Sequence, residues 1–435
     1  MRPILSRHYQ KREPSAIREA QITFSKRSDK NQIIVINLAI GNVSLPMHPS
    51  MQNRMYSLNK NESPFSNGVN QYTPSIGLTE SRNAFLNIIS YEGADISNIE
   101  CIVTDGGSQS MELMLLGVCG PSENRPLMLL DPAYTNYIEF AKRLSIPIIT
   151  YQRTINNRGE FNSLDLNSIE LLIKKHNPGA LVIIPADNPT GQFLLQEQII
   201  DLAKICERNN IWIVSDEAYR QLYFGSNTSS SIWKINETDV SGITGMRISI
   251  ESASKVWNAC GLRIGGLLTD NKEFHSKALS EYTANLCANS IGQYIFGSLA
   301  NESHHDLKLW YKAQRNYYRQ IMEKLRDDLL KEIPGLIISK PYAAIYMVID
   351  FKDICPIGFN AKNFTNYCAA KGLVEIDGKN YTLLLAPMND FYANKKTNIK
   401  TQLRIAIVEK KELIEKTPEI LSVLYKNYIS YNQFL

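Results

Sequence analysis

The chain has 435 residues, of which 44% are hydrophobic and 21% are charged. This size and composition predict a globular protein with two domains, because a single hydrophobic core rarely grows this large. The net charge of +4, from 47 basic and 43 acidic residues, is too small to predict nucleic acid as a partner.

The cysteines and the N-terminus bear on the cellular compartment. The seven cysteines are scattered, odd in number and free of any CxxC pair, which argues against a disulfide framework and against a metal site. The first 21 residues are too polar for a signal peptide, and no run of about 18 apolar residues predicts a membrane span. We therefore expect a cytoplasmic protein that does not have a membrane as partner.

The first two thirds of the chain have the pattern of an α/β domain. Residues 1–30 are polar and basic and predict an arm rather than a core element. From about 80 to 300, short apolar runs alternate with helical patterns, which is typical of a mainly parallel sheet. The predicted strands are 102–104, 127–130, 148–151, 181–185, 211–215, 247–251 and 266–269. The predicted helices between them include 108–118, 137–144, 195–209 and 276–286.

A long helical pattern at 305–333 ends this alternation. Strand-like runs at 343–351, 381–386 and 402–408 follow, with a helix at the end of the chain, and they predict a second, smaller α+β domain. We expect three units along the chain. They are an arm and a segment that joins the small domain (1–45), a large domain (46–305) and a small C-terminal domain (306–435).

Polar or basic residues directly follow several predicted strands, at the edge where open α/β sheets bind ligands. Glycines before a helix, as at 106 and 107, can let the helix start bind an anion or can simply form a turn. Asp216 ends a buried strand and is costly there unless it meets a cation, although a helix cap would also explain it. Lys255 ends an apolar strand and has the setting of a desolvated Schiff-base nucleophile, whereas most lysines are solvated. The segments are DGGSQ (105–109), DPAY (131–134), ADNPTG (186–191), SDEAY (215–219), SASK (252–255) and GLRIG (261–265).

In their order, these segments resemble the class I/II aminotransferases, which are pyridoxal-phosphate (PLP) enzymes of fold type I. The matching motifs are GGSQ, DPAY, DNPTG, SDEAY, SASK and GLRIGG, flanked by NQY at 70–72 and LRI at 403–405. The resemblance covers nearly the whole chain. It implies an α/β fold with a large PLP-binding domain, whose mainly parallel seven-stranded sheet is flanked by helices, and a smaller α+β domain.

The resemblance implies a role for each residue at a matching position around the cofactor. Lys255 is expected to form the Schiff base with PLP, and Asp216 to pair with the protonated pyridine nitrogen, which makes the ring a better electron sink. Tyr219, the third predicted catalytic residue, matches a partner of the 3′ oxygen. The remaining expected cofactor contacts are Asn188 at the same oxygen, Tyr134 stacked on the ring, Gly107, Ser108, Gln109, Ser252 and Arg263 around the phosphate, and Tyr72 from the partner subunit.

The substrate contacts implied by the resemblance are Ile40, Gly41, Asn188 and Arg404. Arg404 matches the arginine that binds the substrate α-carboxylate, for which a planar guanidinium is suited. No arginine stands between 263 and 315, so the second arginine of some dicarboxylate-specific relatives has no match there. Trp257 stands where relatives have a smaller turn, and we expect it to narrow the entrance or to pack at the subunit interface.

The expected function is transfer of an amino group from an L-amino acid to a 2-oxo acid by a ping-pong mechanism, in a homodimer with shared active sites. A PLP-dependent lyase, cyclase or decarboxylase remains an alternative, because the same residues tune the cofactor without choosing the bond that breaks. A non-catalytic PLP-fold binding protein is a third hypothesis, although an arm of about 30 residues is too short for a DNA-binding domain with its own core. The amino donor and the oxo-acid acceptor are not predicted by the sequence.

Overall fold

The computed structural model describes residues 3–10, 12–121, 123–225, 228–395 and 399–432. Its helices are α1 (Arg7–Gln10), α2 (Ala16–Ser25), α3 (Pro49–Tyr56), α4 (Thr79–Ser90), α5 (Gly107–Val118), α6 (Thr135–Leu144), α7 (Leu166–His176), α8 (Gln196–Arg208), α9 (Lys272–Tyr282), α10 (Ser290–Gly297), α11 (His304–Glu332), α12 (Ala361–Ala370), α13 (Lys411–Ile414) and α14 (Thr417–Asn432). Its strands are β1 (Ile33–Asn37), β2 (Glu100–Asp105), β3 (Leu127–Asp131), β4 (Ile148–Gln152), β5 (Ala180–Ile183), β6 (Trp212–Asp216), β7 (Arg247–Ser252), β8 (Ile264–Thr269), β9 (Ile337–Ile338), β10 (Tyr346–Asp350), β11 (Val374–Ile376), β12 (Lys379–Leu384), β13 (Ala386–Pro387) and β14 (Gln402–Ala406).

The large sheet has the strand order β2-β8-β7-β6-β5-β3-β4 in the described part of the chain. Neighbouring strands from β4 to β7 are parallel, and β8 is antiparallel to both β7 and β2. Alternate residues of β3 and β5 belong to two separate hydrophobic clusters, one on each face of the sheet. Burial on both faces explains why these strands are continuous apolar runs. The prediction of a mainly parallel seven-stranded sheet is confirmed.

The parallel strands place their carboxyl ends along one edge of this sheet, and β2 points the same way as β7. The turn between β2 and α5, the loops after β3 and β5, and the segments after β6 and β7 therefore gather at this edge. These connections contain the polar motifs found in the sequence. The topology alone thus brings residues together that are separated by up to about 150 positions in the chain.

Two smaller sheets form the second α+β region, which confirms the prediction of a smaller domain of this type. One sheet has the order β13-β14-β10-β9 and is antiparallel, and the other has the order β1-β12-β11. In the second sheet, β1 runs parallel to β12, so that Ile33 lies opposite Asn380. The strand nearest the N-terminus therefore forms a sheet with strands from the C-terminal part of the chain.

Helix α2 corrects the expectation that residues 1–30 form only an arm. Ala20 is fully buried, and α2 packs against α12. Glu19 pairs with Lys362 of α12 at 3.0 Å, and just beyond α2 Arg27 donates to the carbonyl oxygen of Gly372 at 2.9 Å. Only a narrow side of α2 is buried, so the segment is mostly polar. For this reason the sequence does not predict that the helix packs against α12.

Trp257 is 3% exposed and lies in the interior of the protein. The expectations that it narrows the entrance or packs at the subunit interface are therefore wrong. Its ring packs against His48 at 5.8 Å, Tyr311 at 5.5 Å and Trp310 at 6.2 Å between ring centroids. The large side chain fills an aromatic cluster beneath the loop that contains Lys255. Among the helices of the described residues, none is both long and apolar enough to cross a membrane.

Candidate active site

A cavity of about 510 Å³ lies at the carboxyl edge of the large sheet, where it meets the N-terminal segment. This volume is in the range of small-molecule sites. Most of the residues predicted for the site line the cavity, whereas Gln109, Tyr72 and Arg404 do not. The predicted residues in the lining are Ile40, Gly41, Gly107, Ser108, Tyr134, Asn188, Asp216, Tyr219, Ser252, Lys255 and Arg263.

Lys255 follows β7 and points its amine into the cavity. Its Nζ atom donates to the carbonyl oxygen of Gly41 and lies 3.9 Å from Sγ of Cys260. A side chain at position 41 would overlap the hydroxyl of Tyr346 and would come within 3.1 Å of Nζ, so this position requires glycine. Among the described residues, no carboxylate forms an ion pair with Lys255, which leaves its charge open to a ligand.

Asp216 ends β6 and is only 3% exposed. Its carboxylate accepts hydrogen bonds from the Tyr137 hydroxyl at 3.0 Å and from the backbone N–H of Ala218 at 3.1 Å. Burial raises the pKa of Asp216 to about 6, because the charged form loses its hydration. Within the described part of the chain, no cation pairs with it, so the site has a buried carboxylate in need of a positive partner.

Asn188 connects the cavity to Arg404, which lies just behind it. The Asn188 side chain donates to the Tyr219 hydroxyl at 3.5 Å and accepts from Nη1 of Arg404 at 3.3 Å. Arg404 is 3% exposed and also donates to the carbonyl oxygen of Ala39. Its Nε has no hydrogen-bond partner in the described residues, which is unusual for a buried guanidinium. Arg404, a predicted substrate contact, is thus connected to the lining of the cavity by its hydrogen bond to Asn188.

The opposite end of the cavity has the features of an anion site. The N-terminus of α5 presents Gly107 and Ser108 there, beside Ser252 and Arg263. Gly106 caps α5 at a φ of 72°, and a Cβ at this position would come within 2.9 Å of the guanidinium carbon of Arg263. Free N–H groups, a helix dipole and a guanidinium together favour a phosphate.

Two predicted cofactor contacts do not reach the cavity within this chain. The Gln109 side chain folds back and accepts from the backbone N–H of Asp105 at 2.9 Å. Tyr72 is 78% exposed and lines a separate surface groove with Phe65 and Tyr294. Its expected role in the partner subunit stays a prediction.

Several residues of the site were missed in the sequence. Arg18 and Gln21 of α2 line the cavity, and Nη1 of Arg18 donates to Oε1 of Gln21 at 3.0 Å. Tyr346, at the start of β10, bonds to the Tyr219 hydroxyl at 2.7 Å. Of the missed residues, only Tyr137 could have been predicted. It lies in the first turn of α6, one helical turn after Tyr134.

The charges around the cavity define the kind of ligand it accepts. Lys255 and Arg263 supply two cations and Asp216 supplies one buried anion, and in the described residues none of the three has an oppositely charged partner. PLP is complementary to this arrangement, because it has a phosphate for the α5 end, a basic ring nitrogen for Asp216 and an aldehyde for the Lys255 amine. The fold and the site therefore define a PLP-dependent enzyme with an α/β large domain.

Comparison with known proteins identifies the family. The model of aminotransferase class I and II matches residues 33–415, and the chain belongs to this family. The aspartate aminotransferase of Sulfolobus acidocaldarius is 26% identical over 364 residues, which are 81% of this chain and 83% of that protein. The tyrosine aminotransferase of Mus musculus is 23% identical over 326 residues, 72% and 67% of the two chains. A mutant aspartate aminotransferase of Thermus thermophilus has the same fold, with a TM-score of 0.79 at 20% identity over 98% of this chain and 100% of that one.

The protein is accordingly a PLP-dependent aminotransferase, as the sequence predicted. The names of the two sequence relatives refer to different amino acids, aspartate and tyrosine. Membership of the family therefore gives the reaction and the cofactor but leaves the amino acid open.

Proposed function

We propose that this aminotransferase moves the amino group of an L-amino acid to a 2-oxo acid in two half-reactions at the cavity described above, with Lys255 as its Schiff-base lysine. The observation that carries the proposal is the meeting of three charges, Lys255, Asp216 and Arg263, that have no oppositely charged partner among the described residues, with the Asn188–Arg404 pair at their side. Each charge suits a different part of the cofactor, and Arg404 is left for the substrate.

The cofactor would be fixed by residues of the large sheet. When bound, PLP supplies an electron sink for the bonds at the substrate α-carbon. Asp216 would hold a proton on the ring nitrogen, Arg263 and Ser252 would bind the phosphate with the α5 N-terminus, and Tyr134 would pack on the ring. Together, these contacts would hold the cofactor next to the Lys255 amine.

Lys255 would also move the proton that transamination requires. It is the lysine in the described lining of the cavity, and its Nζ donates to the carbonyl oxygen of Gly41, which is a neutral partner. We assign to Nζ the transfer of the proton from the substrate α-carbon. A general acid–base group in such a position contributes about 10²- to 10⁴-fold to a rate.

Arg404 would bind the α-carboxylate of the substrate. Its buried guanidinium donates to two neutral oxygens, those of Ala39 and Asn188, and has no anionic partner in the described part of the chain, so a substrate carboxylate would supply one. Charge-assisted, bidentate hydrogen bonds of this kind are both strong and directional. They would fix the α-carbon relative to Lys255 and exclude amines that lack a carboxylate.

We propose that the active form is a cytoplasmic homodimer. Tyr72 and Val69 are 78% and 49% exposed on one surface, and large apolar side chains of this kind are typical of a face covered by another chain. A second copy would cover this face and supply Tyr72 to the phosphate end of its partner's cavity. All seven cysteines are free, which fits a reducing compartment.

The test combines a substrate panel with a lysine variant. The purified protein, loaded with PLP, should exchange amine between some pairs of amino and oxo acids, and borohydride should fix the cofactor to the peptide that contains Lys255. In Lys255→Ala we expect turnover to fall by at least about 10³-fold and the borohydride label to disappear. Lys324→Ala, on the exposed side of α11, is the matched control and should behave as the wild type. A label on another lysine would contradict the assignment, and release of ammonia without an oxo-acid acceptor would indicate a lyase.

A further inference from the structure

Tyr346 lies between two residues of the proposed site without reaching the cavity itself. It is the first residue of β10, in the small antiparallel sheet, and is 2% exposed. Its hydroxyl meets that of Tyr219, and its ring lies under the guanidinium of Arg404. Neither the motifs nor the predicted roles include this residue.

The hydroxyl contact between Tyr346 and Tyr219 has two possible directions, and each leaves the Tyr219 proton in a different place. The two hydroxyl oxygens are 2.7 Å apart, and either could be the donor. Tyr219 also receives a hydrogen bond from Asn188 at 3.5 Å. Burial and the neighbouring Tyr346 raise the pKa of Tyr219 well above its usual value, so Tyr219 keeps its single proton. If Tyr346 donates, Tyr219 is an acceptor toward both neighbours and its own proton is free to point into the cavity.

The ring of Tyr346 is in contact with the Arg404 guanidinium. The guanidinium carbon lies 4.4 Å from the centroid of the Tyr346 ring and 4.8 Å from that of Phe391. In the pairing of β10 with β14, Tyr346 lies opposite Ala406 and Val348 lies opposite Arg404. Arg404 and Tyr346 are thus diagonal neighbours on one face of the sheet, which keeps the guanidinium over the ring.

The backbone around Tyr346 is tied to the loop that contains Asn188. The N–H groups of Tyr342 and Ala343 both donate to the carbonyl oxygen of Gly191 at 2.9 Å. A Cβ on Gly191 would overlap the carbonyl oxygen of Tyr346, so loop and strand are in direct contact. The position of Tyr346 is therefore set by the same loop that presents Asn188.

We infer that Tyr346 is a positioning residue for both halves of the site: its hydroxyl donates to Tyr219, so that the Tyr219 proton points at the phenolic oxygen of the cofactor, and its ring orients Arg404 toward the substrate carboxylate. The inference rests on the proposed roles of Tyr219 and Arg404. It makes one side chain of the small sheet responsible for aligning a cofactor contact with a substrate contact.

The first test removes the hydroxyl alone. A hydrogen bond donated to the phenolic oxygen stabilises its negative charge and lowers the pH at which the lysine-linked nitrogen loses its proton. In Tyr346→Phe, Tyr219 gains freedom to turn away, and we expect the pH midpoint of the visible absorption change of the PLP-loaded protein to rise by about 0.5 to 1 unit, the effect of one hydrogen bond. Tyr282→Phe is the matched control, because Tyr282 is fully buried and its hydroxyl has no hydrogen-bond partner in the described residues.

The second test removes the ring as well. In Tyr346→Leu, Arg404 loses its cation–π contact, and we expect the Kd of the PLP-loaded protein for amine-free carboxylates (acetate, isovalerate and succinate) to rise about three- to tenfold. Tyr346→Phe keeps the ring and should change these Kd values by less than about twofold. Circular dichroism and thermal unfolding of each variant report whether it is folded, and Tyr346→Phe still tests the hydroxyl if the leucine variant is not.

The outcomes separate this inference from the proposed function. A fall in the pH midpoint, or no change, in Tyr346→Phe would show that Tyr346 does not donate to Tyr219. Equal carboxylate affinity in Tyr346→Leu and the wild type would overturn the role of the ring. Both measurements need only PLP uptake and no turnover, so they remain informative if no amino acid is transaminated. A protein that shows both shifts and turns over no substrate would refute the proposed reaction alone.

Discussion

The cavity has two walls that differ in how the chain builds them. The walls are named for their proposed roles. One, the cofactor wall, lies at strand ends and in the adjoining loops of the large sheet and consists of Gly107, Ser108, Tyr134, Asp216, Ser252, Lys255 and Arg263. The other, the substrate wall, consists of Arg18, Gln21, Asn37, Ile40 and Gly41, which come from α2, from β1 and from the segment after it. The cofactor wall is a row of strand ends in one sheet, whereas the substrate wall depends on packing between the two ends of the chain.

This difference separates what is common to the family from what is particular to this protein. Residues at strand ends are placed by the sheet itself, so the same cofactor contacts can persist while the rest of the sequence changes. The substrate wall is held by contacts between the two ends of the chain, such as Ala20 against α12 and β1 beside β12, and its side chains can change with a few substitutions. We therefore expect variants of the cofactor wall to affect every substrate and variants of the substrate wall to affect only some.

The largest effect should come from Asp216→Asn in the cofactor wall. Loss of the carboxylate removes the partner of the ring nitrogen, and we expect kcat to fall by about 10²- to 10³-fold for every amino acid tested, a magnitude typical of losing one preorganised electrostatic contact. Steady-state kinetics over the substrate panel measures this. Asp95→Asn, in an exposed turn, is the control for lost charge. A loss confined to one class of substrate would break the distinction between the walls.

The same carboxylate should cost stability when the cofactor is absent. Burial raises the pKa of Asp216 from 3.8 to about 6, so between these values the folded apo protein binds this proton more tightly than the unfolded chain does. Its contribution to the free energy of unfolding therefore falls as the pH rises from about 4 to above 6, by about 3 kcal/mol. Urea unfolding of apo wild type and Asp216→Asn should show an advantage of the variant that grows over this range. A difference that does not vary with pH would contradict the raised pKa.

The smallest effect should come from Arg18→Gln in the substrate wall. Arg18 is an exposed cation at the cavity, so it should favour amino acids with acidic side chains by a contact worth up to about 1 kcal/mol, or about fivefold in kcat/KM. Uncharged substrates should be unaffected. Lys26→Gln, which removes an exposed charge just after the C-terminal end of α2, is the control. A change confined to acidic substrates would support the place of Arg18 in the substrate wall, and an equal loss on all substrates would contradict it.

The sequence predicted the large sheet and most of the cofactor wall because each motif follows a strand that is a continuous apolar run. It did not predict Arg18 or Tyr346, because neither stands in a motif and both reach the site through pairing or packing over long distances in the chain. Residues 1–30 were interpreted as an arm for the same reason: the buried side of α2 is narrow, and its partner α12 begins at Ala361. The prediction for Trp257 is wrong because the sequence of a loop does not indicate which aromatic side chains will surround a large residue within it.

The parallel pairing of β1 with β12 has a consequence for synthesis of the chain. Ile33 leaves the ribosome early, but its partner Asn380 is made nearly 350 residues later, roughly 20 to 70 seconds at ordinary rates of translation. The large sheet is complete at Thr269, so its strands can associate while β1 is still waiting. The half of the pocket that we propose holds the cofactor can therefore form on the growing chain, and the half proposed to select the substrate is completed last.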